Sequence, residues 1–407
     1  MRTCIVRAAI AMALLPAAAR AQSLTLTESQ ALERLSTDSP RARAIRATAD
    51  VARADVLGVG RWPNPRLTVD RESAAGVSET LTTVLQPLPV TGRRGLERAS
   101  AAATADAAGQ RADEAVRRLR ADLRLAYADL VAAQIREREL ARARDRLQEL
   151  ARILERRETA GDTAGFDRLR AEREVLDVEA DRVLARTDRA RAQARLAGFF
   201  ASGTDPSALV ADERVIGARD LPPIDVLVER AEQTRGHVLA LHKDIDAARL
   251  LLQAADRRRI PEPEVMVGTK SSTAGSGDVG SVIGVQAVLP LFDRGRPERA
   301  HAQARANQAS AELESLRITL RADIAAARAS AIERRSAAER YRESALQNSG
   351  EVERIAQVSY DAGERGILDL LDAYRTSSSA RVRQAALDAA ARESEIELEF
   401  VSGWEIP

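Results

Sequence analysis

The chain has 407 residues, with 62 Lys and Arg against 61 Asp and Glu, a net charge of +1, and 3% aromatic against 30% charged residues. So even a balance leaves no basic footprint for nucleic acid, and so few rings cannot fill a broad globular core. A composition dominated by Ala, Arg, Glu and Leu is that of long helices packed along narrow seams.

The chain opens on "MRTCIVRAAIAMALLPAAARAQS", with two early arginines, an apolar stretch from Ala8 to Leu15 and small residues at Ala19 and Ala21. This is the pattern of a secretory signal peptide over residues 1–21, with the mature chain starting near Gln22. The only cysteine, Cys4, lies inside the leader and lacks the Leu and small residues of a lipid-attachment box. Disulfides, thiolate metal sites and an acyl anchor are therefore not expected. No later run reaches the ~18 to 20 apolar residues of a membrane helix, so any span has to be a β-barrel.

Thr27 and Gln30 form a capping box, and Ser39-Pro40 is a second helix start. "RWPNPRLTVD" then leads into a hairpin over 66–86, with strands at Arg66–Ser73 and Ser78–Gln86. No proline occurs between Pro89 and Pro206, which predicts a long helix over 92–160. Its apolar seam runs through Val116, Leu119, Leu123, Ala126, Leu130, Ala133, Leu140, Leu147, Ala151 and Leu154, interrupted by Glu137 and Arg144. A repeat of 3.5 residues sustained so far implies a left-handed supercoil. "TAGDTAG" turns the chain into a helix of half the length, 166–200.

The second half repeats this order: helix 224–258, "RIPEPEVMVG", a hairpin over 264–289 with strands at Glu264–Ser271 and Val279–Leu289, a long helix 297–362 and a short one 366–400. Pro63 and Pro65 correspond to Pro261 and Pro263, Pro87 and Gly92 to Pro290 and Gly295, and Gly161, Asp167 and Leu169 to Gly363, Asp369 and Leu371. The chain reads as two copies of one motif, residues 22–210 and 211–407, a period too long for a solenoid unit. Two half-length helices stacked end to end match one long helix, about 100 Å at 1.5 Å per residue. Four strands cannot close a barrel and open edges cannot sit in lipid, so several chains must contribute.

His237, His242 and His301 are too dispersed for a metal centre, and Gly275 to Gly280 reads as a loop tip without the Gly-Lys-Ser/Thr of a phosphate cradle. No nucleophile with a base can be assembled, so neither an enzyme nor a cofactor is expected. The segment "YDAGERGILDLLDAYRT", Tyr360 to Thr376, places Asp369 and Asp372 three residues apart on one helix face. They either stack as carboxylate rings in a symmetric assembly or pair with Arg365 or Arg375 on the surface.

With its duplication, "WPNPRLTVD", "VLPLFDRGRPERA" and above all "YDAGERGILDLLDAYRT", the chain resembles the TolC-like outer membrane efflux proteins over nearly its whole mature length. The resemblance implies a mainly α fold with a membrane β-barrel portion, in which a homotrimer gives four strands per protomer to one twelve-stranded barrel in outer membrane lipid. Long helices would form a periplasmic tunnel, an exit duct served by a periplasmic adaptor and an inner-membrane pump. By position, Tyr360 and Arg365 would be gate latches with Asp167 as acceptor, and Asp369 and Asp372 the acidic constriction. Departures are the scarce aromatics, which reduce the expected girdles to Trp62 and Phe292, and the short 201–223 linker, which implies a minimal belt around the tunnel. The competing reading is a secreted or periplasmic coiled-coil scaffold without a membrane span. It gives no reason for paired alternating segments between proline pairs in both halves.

Overall fold

A computed structural model describes residues 24–161, 165–213 and 220–404. The expected leader and its cleavage site lie outside the described residues.

The first elements are strand β1 (Leu24–Leu26), helix α1 (Glu28–Asp38) and helix α2 (Pro40–Val56). The capping box is present: Gln30 N–H donates to the Thr27 hydroxyl at 3.2 Å, and Thr27 N–H to the Gln30 side chain at 3.0 Å. The hairpin β2 (Arg66–Ala74) and β3 (Val77–Pro87) follows, then α3 (Arg93–Thr159), 67 residues without a break, and α4 (Gly165–Ala197). Strand β4 (Leu209–Ala211) precedes α5 (Ile224–Thr234) and α6 (Gly236–Arg257), and the second hairpin is β5 (Pro263–Ser272) with β6 (Val279–Ala287). Helices α7 (Arg296–Arg340), α8 (Gln347–Asp361) and α9 (Ile367–Ser402) complete the chain, with a π-turn at Tyr341–Leu346 joining α7 to α8.

The expected helix over 224–258 is two helices. Arg235 takes an extended backbone (φ −70°, ψ 119°), and α6 begins at Gly236, where a Cβ would collide with the Gln110 carbonyl oxygen of α3. The close approach lets the Glu114 carboxylate cap the new helix, accepting from Gly236 N–H at 3.0 Å. The expected helix 297–362 is likewise interrupted, by the π-turn. Gln384 of α9 donates to the Ala338 carbonyl at 3.2 Å beside that turn and satisfies backbone that regular α geometry would have used.

The seam of α3 packs as its spacing dictates. Leu119, Leu123, Ala126, Leu130, Leu140, Leu147 and Leu154 are all buried. Upper α3 packs with α6 and lower α3 with α4 and α9, while α7 closes the far side against α6 and α9. At mid-height a core of Leu35, Leu123, Leu130, Leu196, Phe199 and Leu209 joins α1, α3, α4 and β4.

The parallel pair β1 and β4, with Leu24 opposite Leu209 and Leu26 opposite Ala211, packs into this core. Gln134 of α3 completes the β4 edge, donating to the Ala211 carbonyl and accepting from the Ala211 N–H, both at 2.9 Å.

The other sheet is antiparallel, in the order β2-β3-β5-β6, with β2 and β6 at its two edges. Register aligns Leu67, Val84, Val267 and Ile283 in one row across all four strands, and every one is exposed. The opposite face carries a Thr68–Thr83 contact at 2.9 Å, an Arg66–Glu264 ion pair at 2.8 Å and a Lys270–Glu79 ion pair at 2.7 Å. The first face also carries Val69, Val265 and Val285 beside Arg71 and Thr82, and the second carries Leu81, Leu85 and Met266 among its charges, so the first is the more apolar of the two. Exposed Trp62, Val90, Leu289 and Phe292 collect where the sheet meets the helices.

Candidate functional site

The far end of the helices is a bundle of two hairpins, α3 with α4 and α8 with α9. Both tips turn through a glycine in the left-handed region, Gly161 (φ 82°) and Gly363 (φ 75°), where a Cβ would be strained. Leu147, Leu150, Leu154 and Ala171 of the first hairpin pack against Ala356, Tyr360, Ile367, Leu370 and Leu371 of the second. This apolar contact fixes the height at which polar groups of the two hairpins face each other.

Tyr360 is 9% exposed, and the Arg157 guanidinium lies 5.5 Å from its ring centroid. Arg157 also donates to the Tyr360 hydroxyl at 3.4 Å, so the hydrogen bond of Tyr360 runs to α3 within the chain. Asp167, half-buried in the first turn of α4, receives no hydrogen bond or ion pair from the described residues. Arg365 lies in the exposed tip with its side chain 57% accessible, 4.0 Å from Asp369. Asp369 and Asp372 are both exposed on the first turns of α9, where the helix dipole favours carboxylates. Arg375, the other candidate partner for the aspartates, hydrogen-bonds Glu174 of α4. The structure thus brings Arg365 to Asp369, leaves Asp372 within the field of Arg375, and keeps Tyr360 apart from both acids.

Sequence reasoning did not single out Arg157, Glu174, Arg146, Glu353, Arg381 or Glu139, which join the two hairpins. Arg146 pairs with Glu353, Arg381 lies 3.1 Å from Glu353 and 3.9 Å from Glu139, and Ser377 donates to Glu353. Among 123 Arg, Lys, Asp and Glu spread along the chain, no spacing marks partners some two hundred residues apart.

The polar interruptions of the α3 seam have partners on α4. Arg144 donates to Glu179 at 3.1 Å, and Arg189 donates to Glu137 at 3.0 Å. The hydrogen bond from Arg144 holds the Glu179 carboxyl below the usual carboxylate range. Tyr374 of α9 donates to Gln357 of α8, and burial pushes its phenol up. The described residues hold no group of three or more His, Cys, Asp or Glu placed to bind a metal, and no helix long and apolar enough to cross a membrane.

Residues 227–403 match the family model described as outer membrane efflux protein. The cobalt-zinc-cadmium resistance protein CzcC of Cupriavidus metallidurans is 25% identical over 327 residues, covering 79% of this chain and 76% of the relative. The outer-membrane channel OprN has a similar structure, with a TM-score of 0.73 at 21% identity, over 93% of this chain and 90% of that one. A membrane protein from Pseudomonas aeruginosa superposes with a TM-score of 0.75 at 21% identity, over 92% of each chain.

Proposed function

We propose that this chain is the outer membrane exit duct of a tripartite efflux system, a passive trimeric channel fed by an inner-membrane pump through a periplasmic adaptor. The observation that carries the reading is the four-stranded sheet. Its exposed row of Leu67, Val84, Val267 and Ile283 is apolar and its opposite face carries the ion pairs, its edge strands β2 and β6 have no further partner among the described residues, and it sits on helices about 100 Å long. Three copies joined edge to edge would close twelve strands and leave no edge in lipid.

The helical edges favour the same assembly. Among the helices α4 packs chiefly on α3, and its outer side exposes Phe166, Leu169, Leu176 and Val183. Helix α8, at the opposite edge, exposes Val352, Ile355 and Val358. Apolar stripes at helical spacing on both edges suit side-by-side packing of α4 in one copy with α8 in the next. The exposed collar of Trp62, Val90, Leu289 and Phe292 lies at the height of the lipid headgroups in this arrangement.

Residues 22–210 and 211–407 are then two TolC-like repeats. Tyr360 and Arg365 latch the periplasmic end, with Asp167 as an acceptor across the subunit boundary, and Asp369 and Asp372 supply two acidic rings at the constriction. The exposure of both aspartates supports this placement. The weak Arg365–Asp369 contact supports a latch that can trade partners between one chain and its neighbour.

The test is expression of the full chain in a Gram-negative host, followed by membrane fractionation, chemical cross-linking and planar-bilayer recording. Trimers in the outer membrane fraction that form ion channels are expected. A soluble helical protein without strand content or conductance would establish the scaffold reading instead.

A further inference from the structure

We infer that Glu353 is the hub of a second lock, set back from the periplasmic tip, that holds the α8–α9 hairpin against α3 independently of the Tyr360 and Arg365 latch. The inference rests on the exit-duct reading and adds a positioning residue to its gate.

Glu353 lies eight residues before the end of α8, about 12 Å from the tip at 1.5 Å per residue. Its side chain is only 14% exposed, and three donors converge on it: Arg146 from α3, and Ser377 and Arg381 from α9. Arg381 also faces Glu139 of α3 at 3.9 Å. The side chain of Glu139 is 8% exposed, and its Oε2 is buried without a hydrogen-bond partner. Arg138 and Arg142 attend its other oxygen, Arg142 at 2.7 Å.

The order Arg146, Glu353, Arg381, Glu139 therefore alternates in sign and crosses between the two hairpins twice. Each of two largely buried carboxylates keeps a guanidinium from its own hairpin and gains one from the opposite hairpin, so parting the hairpins strips Arg146 from Glu353 and Arg381 from Glu139. Such a rupture is costly, unlike that of the exposed Arg365–Asp369 pair. The tip latch sets whether the entrance is shut; the inner lock sets how far the hairpin can swing.

Four channels are compared in planar bilayers: wild type, Glu353→Gln, the latch pair Tyr360→Phe with Arg365→Ser, and all three substitutions together. Glu353→Gln should raise single-channel conductance several-fold with trimer yield unchanged, the latch pair should do so separately, and the triple variant should exceed both. Glu353→Asp should return conductance toward the wild-type value, which a loss of packing alone would not permit. Should Glu353→Gln fail to assemble, Arg381→Gln removes one arm of the hub and should give a smaller increase. If the latch pair opens the channel while Glu353→Gln and Arg381→Gln conduct as wild type, the inner lock is refuted and the duct reading stands. If no variant, wild type included, forms a channel, the duct reading and the lock fall together.

Discussion

Arg144 of α3 and Glu179 of α4 are joined across the supercoil seam, the Arg144 Nε donating to a Glu179 oxygen at 3.1 Å. Arg144 interrupts the apolar seam of α3, and its other interruption, Glu137, pairs with Arg189 of α4 with the charges exchanged between helices. A polar pair beside an apolar seam favours one register, because a slip by one turn would separate the two partners.

The Glu179 carboxyl is depressed by its hydrogen bond from Arg144. A group whose pKa is lowered on folding adds stability above its unfolded value, about 4.3 for Glu, and loses it as pH falls through the lower folded value. Glu179→Gln should therefore melt below wild type at pH 7, with the gap closing toward pH 3. A gap constant with pH would mean that the pair contributes only packing. Glu179→Lys, which faces both Arg144 and Arg182, should reduce trimer yield further.

The long helices and four strands were legible because prolines bracket them and their apolar periods, near 3.5 and 2, run far enough to exclude alternatives. The parallel strand pair was not. Strands β1 and β4 are three residues each, too short to show alternation, and they are held by groups distant in sequence, Gln134 and the Tyr127 hydroxyl. The break at Arg235 and the π-turn are tertiary effects in helix-permissive sequence without proline. At the candidate site Tyr360, Arg365, Asp369 and Asp372 were singled out through one dense segment, whereas the charges that join the two hairpins, Arg157, Arg146, Glu353 and Glu174, lie scattered among ordinary charges.

Gly236 and Gly109 should answer oppositely to alanine. A Cβ on Gly236 meets the Gln110 carbonyl and the Glu114 side chain, so Gly236→Ala should push α6 off α3 and lower the melting temperature. A Cβ on Gly109, inside α3, meets nothing within 4 Å. Gly109→Ala should be neutral or stabilising by up to about 0.5–1 kcal/mol. Thermal unfolding of the two variants checks both signs, and an unaffected Gly236→Ala would mean that the helix pair has room to separate.

Leu130 sits fully buried in the mid-height core. Leu130→Ala should cost about 2–5 kcal/mol and still assemble with a lowered melting temperature. Leu130→Pro breaks α3 at a cost of about 3 kcal/mol or more and displaces everything packed on this core, so it should abolish trimers. Normal trimer yield from the proline variant, read by native gel electrophoresis, would contradict a continuous α3.

Asp369 and Asp372 share one face at the start of α9, both exposed, and Arg365 lies 4.0 Å from Asp369. Exposed pairs at that distance contribute little, about 0–1 kcal/mol, so Arg365 does not neutralise the face. If they face the lumen of the proposed trimer, the aspartates would form two stacked rings of three carboxylates, which favour cations and oppose anions in a pore. Replacing both with Ala should abolish block by multivalent cations and weaken cation selectivity in planar bilayers, with trimers intact. The pair Tyr360→Phe and Arg365→Ser should instead raise conductance with block retained, because the rings remain. A gate and a filter are then separable by two readouts from one recording. Unchanged block in the double aspartate variant would place these carboxylates away from the lumen, as surface partners of Arg365 and Arg375.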